Sequence, residues 1–297
     1  MRFKLEGVFP AMLTPFTKGG AKVDYDKAGA LANRLAGLGV HGVFLAGTTG
    51  EGLLMTLAER KKLVEEVVAA AGKRLKVLAH TGCLDTAQTV ELTKHARKAG
   101  AVAAGVVAPG FYGYDEAALA RFYKTVAASV KGFPVMLYNL PSCAKNELTP
   151  KLVLDLAHGV DNIVGIKDSG GMLQKQDRMV IDMPAGFNVI NGCDEFSFQA
   201  LMGGANGSVS STANVIPEVF LAIFNGVKKG QLGKARKAQD RLGHAAEMFH
   251  YGAMVAYYKE GLRLRGFDAG AVRPPQRELT AAEKKGLAKG MKALGYI

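Results

Sequence analysis

The amino-acid sequence predicts an α/β fold in which eight parallel strands, each followed by a helix, close into a (β/α)8 or TIM barrel with a C-terminal helical extension. Short runs rich in β-branched residues alternate with helical stretches of about ten to fifteen residues. Such alternation predicts a parallel sheet with right-handed crossovers. Eight consecutive units without a break in composition favour a closed barrel over the alternative, an open doubly wound sheet.

Local signals in each unit predict the order of the elements. Asp24, Thr56 and Asp85 are predicted helix N-caps, and Glu59 is spaced to complete a capping box with Thr56. The strands are predicted at residues 8–16, 41–47, 76–82, 104–109, 134–140, 163–167, 187–192 and 207–213. The helices that follow them are predicted at residues 24–38, 56–71, 85–99, 115–130, 149–158, 173–181, 194–202 and 217–228.

The chain is predicted to divide into two regions. Residues 1–228 form the catalytic barrel, and residues 229–297 form a C-terminal helical region. In the second region, apolar residues recur at helical spacing in residues 231–248 and 252–264, and a last helix is predicted at 281–294.

The charge of the chain bears on its partners. The formal net charge is +12, which by itself would suit a nucleic-acid-binding protein. The basic residues are spread over many predicted helices, however, and the densest cluster, at residues 228–237, has no interleaved aromatic residues. We therefore interpret them as solvated helix faces and predict no nucleic-acid partner. A positive field can still gather a small anionic substrate.

Cysteine usage and hydropathy predict the compartment. The three cysteines, Cys83, Cys143 and Cys193, lie far apart and form no C-x-x-C pair, which argues against a disulfide framework and a structural zinc site. The first residues contain no long apolar segment typical of a signal peptide, and no run approaches the ~20 apolar residues of a membrane span. We expect a soluble cytoplasmic protein with no membrane partner.

Lys167 follows directly after the apolar strand at residues 163–166. Lysine is seldom fully buried, so a lysine at this position has two interpretations. Its ammonium group leaves the core and reaches solvent, or it is a desolvated amine with a lowered pKa that attacks a carbonyl carbon. The other strand ends decide between these interpretations.

The carboxyl ends of the strands carry the chemistry of a barrel of this kind. The residues predicted there are Thr14, Thr48, Thr49, His80, Thr81, Tyr112, Tyr138, Asn139, Lys167, Gly192, Cys193, Asp194, Val209, Ser210 and Ser211. This set has one amine and several hydroxyl groups but no Asp/Glu/His cluster suited to a divalent metal, so neither a metal nor a cofactor is predicted. His80 is interpreted as structural, because amine chemistry on a carbonyl group needs no histidine.

Three motifs occur at strand ends and in a fixed order. They are Gly-Thr-Thr-Gly-Glu at residues 47–51, Tyr-Asn-Leu-Pro at 138–141 and Gly-Ile-Lys-Asp at 165–168. Together they resemble the dihydrodipicolinate synthase and N-acetylneuraminate lyase family of Schiff-base aldolases. The resemblance covers nearly the whole chain and favours the catalytic interpretation of Lys167.

The resemblance implies a role for each site residue. Lys167 would attack the keto carbon of pyruvate or a related 2-keto acid, and the resulting iminium makes the α-carbon acidic. Tyr138 would shuttle the proton, and Thr48 and Thr49 would bind the carboxylate, with Thr49 also counted among the catalytic residues. Gly192 and Val209 would line the pocket. Relatives of this kind are usually homotetramers without a cofactor.

Departures from the family pattern bear on the second substrate. Cys143 occupies the position where dihydrodipicolinate synthases usually have an arginine for the carboxylate of aspartate semialdehyde. The tyrosine that a neighbouring subunit usually supplies is displaced, because Phe111 is at that position and Tyr112 follows it. Both Tyr112 and Cys143 are nevertheless candidate substrate-binding residues. Ser142 is a further candidate for binding a hydroxylated aldehyde.

The Lys-Asp-Ser-Gly-Gly run at residues 167–171 and Arg-Pro-Pro at 273–275 are more similar to family members that act on keto-deoxy acids. The resemblance therefore predicts aldol cleavage or condensation of a 2-keto-3-deoxy sugar acid or a 4-hydroxy-2-oxoglutarate type compound. Two alternatives use the same iminium: dihydrodipicolinate synthesis from pyruvate and aspartate semialdehyde, and dehydration of a keto-deoxy acid. A third alternative, from a different class, is a non-catalytic barrel that binds sugar acids.

Overall fold

The computed structural model describes residues 3–297, and in this range eight parallel strands form a single sheet. The strands are β1 (Gly7–Pro10), β2 (Gly42–Leu45), β3 (Lys76–His80), β4 (Ala103–Val107), β5 (Val135–Asn139), β6 (Ile163–Asp168), β7 (Asn188–Asn191) and β8 (Gly207–Ser210). Consecutive strands from β2 to β8 pair in chain order, and β8 pairs with β1. Between β1 and β2, Ala11 bridges to Phe44, and the Met12 N–H donates to the Phe44 carbonyl at 2.9 Å. The sheet is therefore closed, and the predicted (β/α)8 barrel is confirmed.

Helices cover the outside of the barrel and form the C-terminal extension. They are α1 (Tyr25–Gly37), α2 (Leu57–Ala71), α3 (Thr86–Lys98), α4 (Glu116–Ala128), α5 (Pro141–Ala144), α6 (Pro150–Gly159), α7 (Leu173–Asp182), α8 (Ser197–Met202), α9 (Pro217–Lys228), α10 (Leu232–Met248), α11 (Val255–Leu264) and α12 (Ala281–Ala293). The predicted N-caps are confirmed, since the side chains of Asp24, Thr56 and Asp85 each accept a backbone N–H of the first turn. The Thr56 and Glu59 capping box is also present.

The end of the first strand and the segment after β5 differ most clearly from the prediction. The first strand ends at Pro10 rather than at residue 16, because the following backbone bonds to distant side chains, as when the Leu13 N–H donates to Asn214 Oδ1 at 3.0 Å. Helix α5 was not predicted, since its four residues are too few to show helical periodicity. Pro141 at its first position suits a helix start.

Apolar side chains pack in two layers, inside the barrel and between the strands and helices. The inner layer contains Leu5, Phe9, Ala11, Phe44, Leu78, Ala103, Met136, Tyr138, Ile190 and Val209. Successive residues of a strand point to opposite faces, so inward-pointing residues near the carboxyl ends of the strands meet at one end of the barrel.

The C-terminal extension packs against the barrel. Helix α10 lies along α9, α11 packs against α12, and Arg265 of the extension forms an ion pair with Glu218 of α9 at 2.6 Å. Among the helices of residues 3–297, none combines the length and apolar character that a membrane span requires.

Candidate active site

Lys167 lies at the carboxyl end of β6 and points into the barrel end. The residue is only 6 % exposed, so its amine does not extend into solvent. Its Nζ lies 3.9 Å from the ring centroid of Tyr138 and 4.6 Å from that of Phe44. The first interpretation of Lys167, a charged group that reaches solvent, is therefore wrong. The amine lies among aromatic rings on the wall of a cavity.

A cavity of ≈ 270 Å³ opens at the carboxyl ends of the strands. Its volume suits a small molecule. The structure brings together at this cavity all but one of the candidate residues. Those that line it are Thr48, Thr49, Tyr138, Ser142, Cys143, Lys167, Gly192 and Val209.

Tyr112 is the candidate residue that the structure does not bring to the cavity of this chain. Its side chain is 64 % exposed and packs edge-on against Phe111, with ring centroids 4.9 Å apart. Phe111 has a φ of 71°, which turns the chain outward after β4. Asn146 Nδ2 holds the loop in this position by donating to the Tyr112 carbonyl at 2.7 Å. Sequence spacing along β4 could not reveal this outward turn.

Register between β5 and β6 positions Tyr138 next to Lys167. The two residues are direct partners in the parallel ladder, and Asn139 is the partner of Asp168. Asn139 Nδ2 donates to Asp168 Oδ1 at 2.8 Å, while Asn139 Oδ1 accepts the Leu148 N–H at 3.0 Å. These bonds cross-link the two strand ends with the segment that follows α5. Asn139 and Asp168 directly follow Tyr138 and Lys167 in their motifs. Their bonds therefore fix the two strand ends so that the Lys167 amine and the Tyr138 phenol lie side by side.

Hydroxyl groups surround the amine and the phenol. Thr48 Oγ1 lies 3.4 Å from the Tyr138 hydroxyl, and Thr49 Oγ1 lies 2.6 Å from Ser211 Oγ. Thr48 is thus the threonine within reach of Tyr138, whereas Thr49 contacts the end of β8. The sequence assigned the catalytic role to Thr49, and geometry alone distinguishes the two neighbours.

The turn that carries Thr48 and Thr49 has a tightly constrained backbone. Thr14 Oγ1 donates to the Gly50 carbonyl at 2.6 Å. At Gly52 a Cβ atom would lie 1.8 Å from the Ala46 carbonyl oxygen, so only glycine fits. Glu51, between these two glycines, has a φ of 55°, an uncommon value for a residue with a side chain. Small residues let the backbone of the turn approach a bound anion closely.

His80 lies beneath the site and makes internal contacts. Its ring is 5.8 Å from that of Tyr138, and its Nδ1 is 3.0 Å from the Ala46 carbonyl oxygen. Burial, reinforced by the nearby Arg60 guanidinium, lowers the pKa of His80 well below its ordinary value. A neutral ring in this position supports the structural interpretation of His80.

Sequence reasoning gave no role to several polar residues of the cavity wall, among them Asp194, which it had placed at a strand end. Asp194 and Glu195 follow β7, and Tyr251 and Tyr258 come from the C-terminal extension. The sequence did show the Gly192-x-Asp194 turn, but it gave no sign that Asp194 and Glu195 line the same cavity as Lys167. The two tyrosines lie in a region that was not expected to reach the site.

Burial raises the pKa of Asp194 to about 6, against a hydrogen bond from Ser210 that lowers it. The folded state therefore binds this proton more tightly than the unfolded state, where the ordinary value is 3.8. The stabilisation that this proton contributes is present below pH 3.8 and is lost as the pH rises through about 6. At pH 8 the folded wild type thus contains a disfavoured carboxylate.

We expect Asp194→Asn to raise the melting temperature at pH 8 by roughly 2–4 °C, because the amide removes the disfavoured negative charge. At pH 4.5 the gain should be much smaller, since Asp194 is then largely protonated in the folded protein. Thermal unfolding of both proteins at the two pH values measures the difference. An equal gain at pH 4.5 and pH 8 would contradict the raised pKa.

Among residues 3–297, no group of three or more His, Cys, Asp or Glu side chains is arranged to hold a metal ion.

Comparison with known proteins shows similarity along the whole chain. A sequence profile of the dihydrodipicolinate synthetase family matches residues 4–294. A 4-hydroxy-tetrahydrodipicolinate synthase from Methanococcoides burtonii is 33% identical over 295 residues, which make up 98% of this chain and 99% of that protein. An N-acetylneuraminate lyase from Rhizobium meliloti is 30% identical over 280 residues, 94% of this chain and 92% of that protein.

A solved structure is similar to the same extent. It is a prophage protein of the dihydrodipicolinic acid synthase family from E. coli K12, crystallised in complex with pyruvate. It superposes with a TM-score of 0.95 at 31% identity and covers 99% of this chain and 100% of its own. The similar proteins thus include enzymes named for two different reactions.

Proposed function

This chain belongs to the dihydrodipicolinate synthetase family of Schiff-base lyases, and we propose that Lys167 is the residue that forms the imine, with pyruvate or another 2-keto acid. The observation that carries the proposal is the burial of the Lys167 amine in a small cavity, 3.9 Å from the ring centroid of Tyr138. The similar prophage protein was crystallised in complex with pyruvate, which supports the choice of keto acid.

The reaction begins when the neutral amine of Lys167 attacks the keto carbon. The former carbonyl oxygen takes one proton from the nitrogen and a second from the Tyr138 phenol, water leaves, and an iminium remains. In a keto-deoxy acid the iminium accepts the electrons of the bond between the α-carbon and the hydroxyl-bearing carbon next to it. Removal of the proton from the aldol hydroxyl breaks that bond and releases the aldehyde. The enamine left on Lys167 takes up a proton at carbon, and water hydrolyses the imine to free pyruvate.

Tyr138 and Thr48 serve the proton transfers in this proposal. The phenol lies in the barrel end with the Thr48 hydroxyl 3.4 Å away, so a proton can pass between the two oxygens after modest closure. The backbone N–H groups and hydroxyls of the turn at Thr48 and Thr49 bind the keto-acid carboxylate. Gly192 and Val209 shape the pocket around the methyl or methylene carbon.

Reductive trapping tests the role of Lys167. The protein is incubated with pyruvate and borohydride, digested, and its peptides are weighed. We expect a stable pyruvate adduct on the peptide that contains Lys167 and none when pyruvate is omitted. No adduct at saturating pyruvate would contradict the mechanism and favour the non-catalytic sugar-acid-binding barrel. An adduct confined to another lysine would contradict the assignment of Lys167.

For the second substrate we propose a neutral, hydroxylated aldehyde, so that the full substrate is a 2-keto-3-deoxy sugar acid. Lys167 is the only basic residue among the described residues that line the cavity, and it is engaged by the keto acid. The remaining wall offers the carboxyl groups of Asp194 and Glu195 and the hydroxyls of Ser142 and Ser211. All four groups can accept hydrogen bonds from sugar hydroxyls, whereas the ionised carboxyl groups of Asp194 and Glu195 repel a second carboxylate.

Aspartate semialdehyde and glyoxylate each bring a second carboxylate, so dihydrodipicolinate synthesis and a 4-hydroxy-2-oxoglutarate reaction fit this wall less well. Lys145, the nearest alternative cation in the motif, is exposed and does not line the cavity. Consumption of pyruvate with glyceraldehyde, glyoxylate, aspartate semialdehyde and N-acetylmannosamine compares the candidates. Loss of water from a keto-deoxy acid without release of an aldehyde would instead favour the dehydratase.

The exposed Cys143 lines the cavity mouth and gives a direct test of this specificity. We expect Cys143→Arg to lower the KM for aspartate semialdehyde roughly tenfold, because guanidinium can pair with its carboxylate in bidentate fashion. Steady-state kinetics with varied aldehyde measures the change. Cys143→Met is the matched control, since it adds length without charge. An unchanged KM in the arginine variant would show that this position does not face the aldehyde.

We further propose a homo-oligomer, a tetramer by family resemblance, in a reducing cytoplasmic location. Phe111 and Tyr112 are 75 % and 64 % exposed, and a contiguous exposed aromatic pair is typical of a protein interface. The free thiols of all three cysteines support the location. Sedimentation equilibrium tests the first proposal, which a monomer would contradict, and cell fractionation tests the second.

A further inference from the structure

We propose that Lys259, in the C-terminal extension, is a positioning residue for the anion-binding turn at Thr48 and Thr49, and that it acts through Glu51. The inference rests on the proposed function, since it concerns how the same site binds the keto-acid carboxylate. It gives the extension a part in substrate binding, although Lys259 does not line the cavity.

Glu51 and Lys259 form a buried ion pair between the barrel and the extension. Their side chains are 0% and 4% exposed, and Lys259 Nζ lies 2.8 Å from Glu51 Oε1. Glu51 Oε2 accepts the Arg273 N–H at 2.7 Å and Gln276 Nε2 at 3.3 Å. Residues from three places in the extension therefore bind one carboxylate of the turn.

Lys259 is itself held in position. Its Nζ donates to the Ala271 carbonyl at 2.5 Å and lies 4.6 Å from the ring centroid of Phe16. The Arg273 guanidinium lies 4.3 Å from the same ring and pairs with Glu59 on α2 through two N–H···O contacts of 2.8 Å. The ammonium group thus has a fixed location before any substrate binds.

Glu51 needs such an anchor because of its backbone. Its φ of 55° is uncommon outside glycine and persists only where surrounding contacts over-determine it. The Glu51 N–H donates to the Thr48 carbonyl at 3.0 Å, so the conformation of Glu51 sets the curvature of residues 48–51. Thr49 and Gly50 lie between these two groups, and the N–H groups of Thr48 and Thr49 would bind the carboxylate. A change at Glu51 therefore changes the direction of those N–H groups.

Loss of Lys259 leaves the Glu51 carboxylate buried without its cation. Removing one partner of a buried pair is far more disruptive than replacing both partners by neutral groups. Burial lowers the pKa of Lys259 while Glu51 opposes that shift, which agrees with a pair that is mutually dependent. The Glu51 carboxylate without a counter-ion is more stable in contact with water, so the turn must rearrange to expose it.

The test measures how tightly each variant binds the keto acid. We expect Lys259→Met to raise the pyruvate concentration for half-maximal borohydride trapping about tenfold, the change in affinity that corresponds to about 1.4 kcal/mol. Trapping at saturating pyruvate should still reach Lys167, and the KM for the aldehyde should be unchanged. A merely structural role would lower the melting temperature without this separation of the two substrates.

A second, independent experiment varies the charge balance of the Glu51 and Lys259 pair. Glu51→Gln leaves a buried ammonium group and should also weaken pyruvate binding. In the double variant Lys259→Met with Glu51→Gln, both partners are neutral and the glutamine can keep the Arg273 hydrogen bond, so most of the affinity should return. Arg277→Met is the matched control, because it removes an exposed ion pair with Glu283 in the same extension.

Each outcome decides one question. If the folded Lys259→Met protein needs the same pyruvate concentration for half-maximal trapping as the wild type, the proposed role of Lys259 is overturned. If Lys259→Met does not fold, the comparison is between Glu51→Gln and the double variant. The proposed role of Lys259 is then overturned when the double variant binds pyruvate no better than Glu51→Gln. Absence of an adduct in the wild type would contradict the proposed function, whereas a normal wild-type adduct with unaffected variants contradicts this inference alone.

Discussion

Replacing Lys167 by alanine is expected to lower the rate of the lyase reaction by on the order of 10⁴-fold or more and to abolish the trapped pyruvate adduct. Without the amine no iminium forms, and the carbonyl group alone is a much weaker electron sink. The Tyr138 ring and the turn at Thr48 remain in place, so binding of the keto acid should persist. Steady-state rates and the mass of the digested peptides measure both effects.

Lys167→Arg is the control for charge and packing. A guanidinium group remains protonated and cannot act as a nucleophile, so this variant should be as inactive as the alanine variant. Thermal unfolding of all three proteins establishes that the barrel is intact. Retention of substantial activity by either variant would show that the imine forms elsewhere.

The second large effect is expected for Tyr138→Phe, which should slow imine formation and aldol cleavage by roughly 10²–10⁴-fold. The ring still packs edge-on against Phe44, with centroids 5.5 Å apart in the wild type, and still lies beside Lys167. Only the proton carrier is lost. The adduct on Lys167 should therefore form slowly but reach the same extent at long times.

Tyr123→Phe is a matched control for this prediction. Tyr123 is also fully buried, and its hydroxyl donates to the Val106 carbonyl at 3.2 Å, away from the cavity. Its loss should cost stability but leave the trapping rate unchanged. Time courses of borohydride trapping compare the two variants. Equal slowing of both, or of neither, would contradict proton transfer by Tyr138.

The two predictions depend on a geometry of which the sequence indicated a large part. Periodicity and helix caps were sufficient for the barrel, because each βα unit carries its own local signals and right-handed crossovers leave few topologies. Lys167, Tyr138 and the turn at Thr48 were identified since parallel strands bring their carboxyl ends to one edge. That rule depends only on the order of elements in the chain.

Other features were not predictable because they arise from contacts between distant segments. Helix α5 is too short for a periodic signal, and the outward turn that exposes Tyr112 depends on Asn146, 34 residues further along the chain. Asp194 has a raised pKa because the folded chain buries it, and no local pattern carries that information. The choice between Thr48 and Thr49 as neighbour of Tyr138 likewise required coordinates.

The sequence by itself therefore determined the barrel, the family resemblance and the amine proposed to carry the chemistry, since these follow from local patterns and the order of strands. Only the tertiary structure decided that Lys167 is buried beside Tyr138 and that, among residues 3–297, Asp194 and Glu195 line the cavity while no second basic residue does. It also decided that Lys259 reaches Glu51 across 208 residues of chain. Burial and long-range pairing are properties of the closed barrel, which no single stretch of sequence contains.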